Sequence, residues 1–260
     1  MCRWIKKLAA IVAALSLITS TTFLLAAIET TVDTHTTPQS DRTLPSINDT
    51  LAEKMSVLRF KITDPGGDTL NTLIDRITIP ISGTGTSAST TIAWAQLWDD
   101  TNNIEVATAA SITDTALVFG PGDDAANDAD LVSVANGSAK EFTVYIYFYS
   151  TLGDDDGDTY IFDVDETNVV VDSGGNSSDM TADTGAVTPV TGTIEVIATV
   201  LRVTGTATMT AGAENDLTIT ATDENGNIDL DYSGTKSLTF SGPSNSPDGY
   251  IPTVQGVDIG

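Results

Sequence analysis

The chain has 260 residues, 36 acidic and 11 basic, giving a net charge of −25, with one cysteine (Cys2) and one histidine (His35). A lone cysteine excludes an internal disulfide framework, and the shortage of Cys and His excludes a structural zinc site. A charge this negative repels phosphate backbones and argues against nucleic acid as a partner. Of the acids, 28 are Asp and 8 are Glu, a ratio expected where many carboxylates sit in turns.

Met1–Ala27 opens with the basic residues Arg3, Lys6 and Lys7 and continues from Leu8 to Ala27 as an apolar stretch with small hydroxyls. This pattern predicts a secretory signal peptide over residues 1–27. The other reading is an uncleaved anchor, since the stretch is about long enough to cross a bilayer. Ser16, Thr19, Ser20, Thr21 and Thr22 weaken a stable span and favour cleavage. Cleavage removes Cys2, Arg3, Lys6 and Lys7 and takes the net charge from −25 to −28. Membrane contact is expected only through this segment, if it stays attached.

Residues 28–51 carry Thr, Asp, Pro38 and Pro45 with few large apolar side chains, and read as a flexible lead-in. From there the hydrophobic period becomes two. Val57–Thr63 alternates and stops at the turn cluster Asp64–Asp68; Ile74–Ile81 and Thr91–Trp98 follow. Glu141–Ser150 (EFTVYIYFYS) is the clearest strand, and Thr159–Val164 comes after the turn Gly153–Asp158. No amphipathic helical pattern lasts three turns outside the first segment, so the fold class is all-β. Residues 52–172 fit one β-sandwich. Residues 173–193 lack large apolars and read as a linker, and residues 194–260 begin a second sandwich too short to be complete. Its missing strands are expected in a longer chain or from a neighbouring molecule by strand addition.

Thr210-Ala211-Gly212, Leu217–Thr222, the acidic Asp223–Asp229 turn, Tyr232–Thr235 and Leu238–Phe240 resemble the Ig-like (invasin/Big-like) repeat modules of large bacterial and archaeal surface proteins. Ser56–Asp64, Ala95–Asp99 and Lys140–Phe162 resemble a companion Ig-like module. The resemblance implies tandem Ig-like β-sandwiches after a signal peptide, the second incomplete, in a secreted protein that builds stalks, adhesins or surface layers.

Three groups of residues are candidates for chemistry. In Gly153–Asp158, Asp154, Asp156 and Asp158 alternate like the first ligands of a calcium loop, so Ca²⁺ is the candidate cofactor; the competing reading is an ordinary Gly/Asp hairpin turn. Gly120–Asp130 and Asp223–Asn227 invite the same two readings. Tyr145, Tyr147 and Tyr149 share one face of their strand and form a row that could stack on a polysaccharide, or simply pack across strands. Trp94 and Trp98 are expected in the core or at its edge. Asn48, Asn136 and Asn176 match the N-glycosylation pattern. No nucleophile has a visible base: a Ser-His-Asp arrangement would have to rest on His35, and paired carboxylates discriminate nothing among 36. The expectation is a non-enzymatic structural or adhesive protein of the cell surface, whose partners are other surface proteins, copies of itself or surface polysaccharide. The alternative is a carbohydrate-binding module of a larger secreted enzyme.

Overall fold

The computed structural model describes residues 29–85, 87–121, 129–153, 155–206, 208, 216–237 and 248–249. The expected signal segment, and Asp154, lie outside these residues. Among the described residues, no helix is long and apolar enough to cross a membrane.

The molecule is all-β. Its strands are β1 (Thr31–Thr34), β2 (Arg42–Pro45), β3 (Met55–Thr63), β4 (Thr72–Ser82), β5 (Ile92–Asp99), β6 (Ile104–Thr108), β7 (Ser111–Thr113), β8 (Ala116–Phe119), β9 (Val132–Val134), β10 (Ala139–Phe148), β11 (Thr159–Phe162), β12 (Val169–Val171), β13 (Val190–Glu195), β14 (Val200–Gly205) and β15 (Leu217–Thr222). One sheet runs β1-β3-β10-β5-β6 and is antiparallel throughout. A second runs β2-β13-β11-β4-β8-β7, with β9 and β12 also paired to the long β4; only β2 and β13 run parallel. β14 and β15 form a separate two-stranded ribbon.

The two large sheets share one core. Phe60, Phe142, Val144 and Ile146 come from the first, and Ile74, Ile77, Phe119, Phe162 and Ile194 from the second, all 0% exposed. Phe60 and Phe142 stand opposite each other and stack with ring centroids 5.4 Å apart. In β10 the residues Phe142, Val144, Ile146 and Phe148 all point inward, as strict alternation requires. Burying each such ring contributes about 1.5–3 kcal/mol, which a chain without internal disulfides must rely on.

Two segments differ from the sequence expectation. The lead-in, residues 28–51, supplies β1, paired with β3, and β2, paired with β13. Each of these strands buries a single apolar side chain, Val32 or Leu44, so no alternation is visible in the sequence. The expected linker, residues 173–193, also belongs to the first unit. Ser178 donates to Asp64 and Asp68, Ser177 accepts from the Leu73 amide, and Val190–Glu195 is a central strand of the second sheet. The Ser178 bond to the buried Asp64 holds this stretch together with Met180 and Val187, which pack against the core, and the buried Val190. Gly192 makes room for Leu44: a Cβ would lie 2.4 Å from Leu44 Cδ1 and would force that buried side chain to shift. Ile194, expected to open the second unit, is fully buried in the first.

Candidate functional site

The turn Gly153–Asp158 lies where the first unit meets the ribbon. The Asp158 amide donates to Asp155 O to close the turn, and Ile194 N–H donates to Asp158 O. The side chains then diverge. Asp155, buried, accepts from Thr91 Oγ1 at 2.9 Å. Asp156 turns the other way: its Oδ1 accepts from Val196 N–H at 2.8 Å and its Oδ2 from Leu230 N–H at 2.7 Å. This brings Asp156 together with Asp229 and Asp231, with one carboxylate oxygen from each within 4.8 Å of the others. Of the sequence-predicted calcium residues, Asp156 thus joins two carboxylates far away in the chain. Two carboxyls here are raised above their ordinary values: Asp231, first by its hydrogen bond with Asp229 and then by the charge of Asp156, and Glu195, first by burial and then by the three aspartates. Hard oxygens gathered at this spacing suit Ca²⁺.

Beside this cluster, the acidic Asp223–Asn227 turn plugs into the first unit. Asp223 is 0% exposed and Asn227 1%. Ser46 Oγ donates to Asp223 Oδ2 at 2.7 Å, and Asn227 Oδ1 accepts from Leu152 N–H at 2.7 Å. Asn227 Nδ2 donates to Ser150 O and to Asp223 Oδ2, while Asn225 Nδ2 donates to Asp49 Oδ2. Burial pushes the Asp223 carboxyl up, but its bonds from Ser46, Asn227 and Gly226 outweigh this and hold it below the ordinary value. Gly226 closes the turn at φ +93°, a conformation that disfavours side-chain-bearing residues. The turn read as a calcium candidate is therefore filled by its own hydrogen bonds and serves as a joint.

A second acidic trio, Asp75, Asp130 and Asp172, meets within 4.8 Å. Asp75 faces inward because β4 bulges: Val170 stands opposite Arg76 and Val171 opposite Ile74, which makes Asp75 the inserted residue of the bulge. Burial first, then Asp172, raises the pKa of Asp130. Most of Gly120–Asp130 lies outside the described residues.

On the outer face of the first sheet, Tyr147 stands opposite Trp94 and stacks on it, with centroids 5.3 Å apart and planes 18° apart. Lys54 Nζ lies 4.5 Å from the Tyr145 ring centroid and 5.0 Å from that of Trp98, and donates to Gln96 Oε1. Trp94 and Trp98, expected in the core or at its edge, are half-buried on the outer face. β5 turns Ala95 and Leu97 inward, so its tryptophans must point out. Tyr149 lies beyond the end of β10 and is 47% exposed. Sequence reasoning named Tyr145 and Tyr147, and missed the rings across the ladder because register is not written in one strand.

His35 is buried against β5 and β10. Its Nδ1 accepts from Thr37 N–H at 2.9 Å, which leaves the ring proton on Nε2, 3.2 Å from Asp100 Oδ2 and 3.6 Å from Glu141 Oε2. With that lone pair already engaged, the ring ties the N-terminal strand down. Asn136 and Asn176 are exposed, whereas Asn48 Nδ2 donates to Glu53 O. No protein family model matches this chain, nor does any curated protein or solved structure.

Proposed function

We propose that this chain is a secreted, cell-surface structural or adhesive protein of Ig-like β-sandwich modules, acting as a stalk, adhesin or surface-assembly component. The observation that carries the reading is the joint at Asp223–Asn227. A spacer must pass force or hold a display angle between successive β units, and a flexible tether would do neither. Here, buried, fully hydrogen-bonded Asp223 and Asn227 fix the ribbon to the first unit at Ser46, Ser150 and Leu152. The acidic surface keeps such a protein solvated outside the cell.

Calcium is the proposed stiffener of this joint. Asp156, Asp229 and Asp231 supply the oxygens, and neutralising their mutual repulsion favours the docked ribbon. In calcium-loaded protein, a chelator is expected to lower the thermal midpoint and increase amide exchange at Leu230 and Val196. An unchanged midpoint and exchange pattern would remove calcium from the reading. Export and surface retention of the tagged full chain, assayed by fractionation and accessibility to added protease, test the reading as a whole. A chain found only inside the cell refutes it.

A further inference from the structure

We propose that the outer face of the five-stranded sheet binds the pyranose rings of a polysaccharide on Trp94, Trp98, Tyr145 and Tyr147, with Lys54, held from beneath by the buried Gln96, as the polar contact. The site is independent of the joint and of any calcium there.

Three β-bulges surround these rings. In β3 the register passes from Leu58 to Ser56, skipping Val57 opposite Val144/Tyr145. In β5 it passes from Trp94 to Ile92, skipping Ala93, and in the edge strand β6 from Ala107 to Glu105, skipping Val106. A bulge gives up a ladder position and re-aims the side chains beside it, and bulges concentrate next to functional sites. Here each lies within one residue of a ring-bearing position. The unbroken β10–β5 register sets Trp94 against Tyr147, the β5 bulge follows directly after that pair, and the β3 bulge lies just ahead of Lys54, whose ammonium stands over Tyr145 and Trp98.

The chemistry matches a sugar chain better than a hydrocarbon or a bare anion. Sugar rings present C–H faces that stack on aromatic π-systems, alternating with hydroxyls that need donors and acceptors. The patch offers both, since four half-buried rings surround the half-buried Lys54 ammonium, which the buried Gln96 amide positions. Trp94 and Trp98 lie about 13 Å apart along β5, from a rise of about 3.3 Å per residue, so an extended ligand is favoured over a single sugar. The face also carries Arg59 and Lys61, but Asp33 and Glu141 stand opposite Lys61 and Glu105 opposite Trp98, so Lys54 is the cation set among the rings. Neutral and uronate-bearing polysaccharides share the ring chemistry, and Lys54 separates them: an ammonium held between two rings pairs with a carboxylate.

The test uses the purified full chain in affinity electrophoresis against a soluble β-glucan, glycol-chitin and alginate. Retardation by at least one polymer is expected, weakened about tenfold or more by Trp94→Ala and by Tyr147→Ala. Lys54→Met would weaken binding to alginate alone if uronate is the natural partner, and binding to neutral chains would be kept. Because an alanine variant could unfold, wild-type tryptophan emission on titration with oligosaccharides gives a second readout. Trp94 and Trp98 are two of only three tryptophans, so a saturable change is expected. No retardation with unchanged emission overturns the proposal, as does retardation that survives both ring variants with the fold intact.

Discussion

The two-sheet unit and the β14–β15 ribbon are built from the same kind of sequence and end up in opposite situations. In the ribbon, Leu201 stands opposite Ala221, Val203 opposite Ile219 and Gly205 opposite Leu217, so the apolar side chains share one face while Arg202 and Thr204 share the other with Thr218 and Thr220. That alternation is as regular as in β10, where the apolar face is completely buried. Yet Leu201 is 41% exposed, Val203 59% and Leu217 51%. Alternation therefore says which face would go inside, and burial needs a second sheet. A two-stranded ribbon is marginal by itself, and this one is held by its polar turn against the first unit.

The largest expected contrast lies inside the first unit. Asp99 is fully buried and paired with Lys140 at 2.9 Å. Lys140→Met leaves that buried carboxylate without a cation, held only by its hydrogen bonds from Asn102, and is expected to cost about 3–5 kcal/mol in urea unfolding. Adding Asp99→Asn should restore much of the loss. Phe142→Ala should cost a similar ~3–5 kcal/mol by opening a cavity where Phe60 now stacks. If Lys140→Met costs no more than a surface substitution, the Asp99–Lys140 pair does not stabilise the first unit.

Smaller effects belong to the joint. Asn227→Ala leaves Leu152 N–H without its acceptor and is expected to cost about 1–3 kcal/mol. Amide exchange should localise that loss to the ribbon and Leu152, leaving the Phe60 core protected; equal loosening of both regions would mean the two form one cooperative unit. The pH response follows from Asp99 and Asp223. Burial raises both, but hydrogen bonds to Asn102 and Lys140 in one, and to Ser46 and Asn227 in the other, outweigh it, so both folded pKa values are lowered. Their stabilisation is complete above the unfolded value of ~3.9 and is lost as pH falls below it through the folded values. Asp223→Asn should flatten the acid limb of the stability curve; an unaltered limb would show that Asp223 does not contribute. The smallest effect is expected on the open face, where Val203→Thr should change stability by less than about 0.5 kcal/mol. A loss of several kcal/mol would show that this face is covered in solution.

The strongest strands announced themselves through period two and Gly/Asp punctuation: β3, β4, β5, β10 and β11 lie close to where the alternation puts them. β1, β2 and β13 did not, because each depends on partners distant in the chain and on Asp64, Leu44 or Gly192 for its place. The candidate sites divide along the same line. Tyr145 and Tyr147 were evident on one strand face, and Asp156 in an acidic turn. Trp94, Trp98 and Lys54 joined the first pair, and Asp229 and Asp231 the second, only through pairing, bulges and docking.

What the sequence by itself determined is the all-β class and which side chains share a strand face, because a pleated strand fixes side-chain direction every second residue. Tertiary structure decided which faces are covered, which carboxylates meet and which rings face each other. Those depend on register, and a local bulge of one residue changes them without leaving a mark on composition or period.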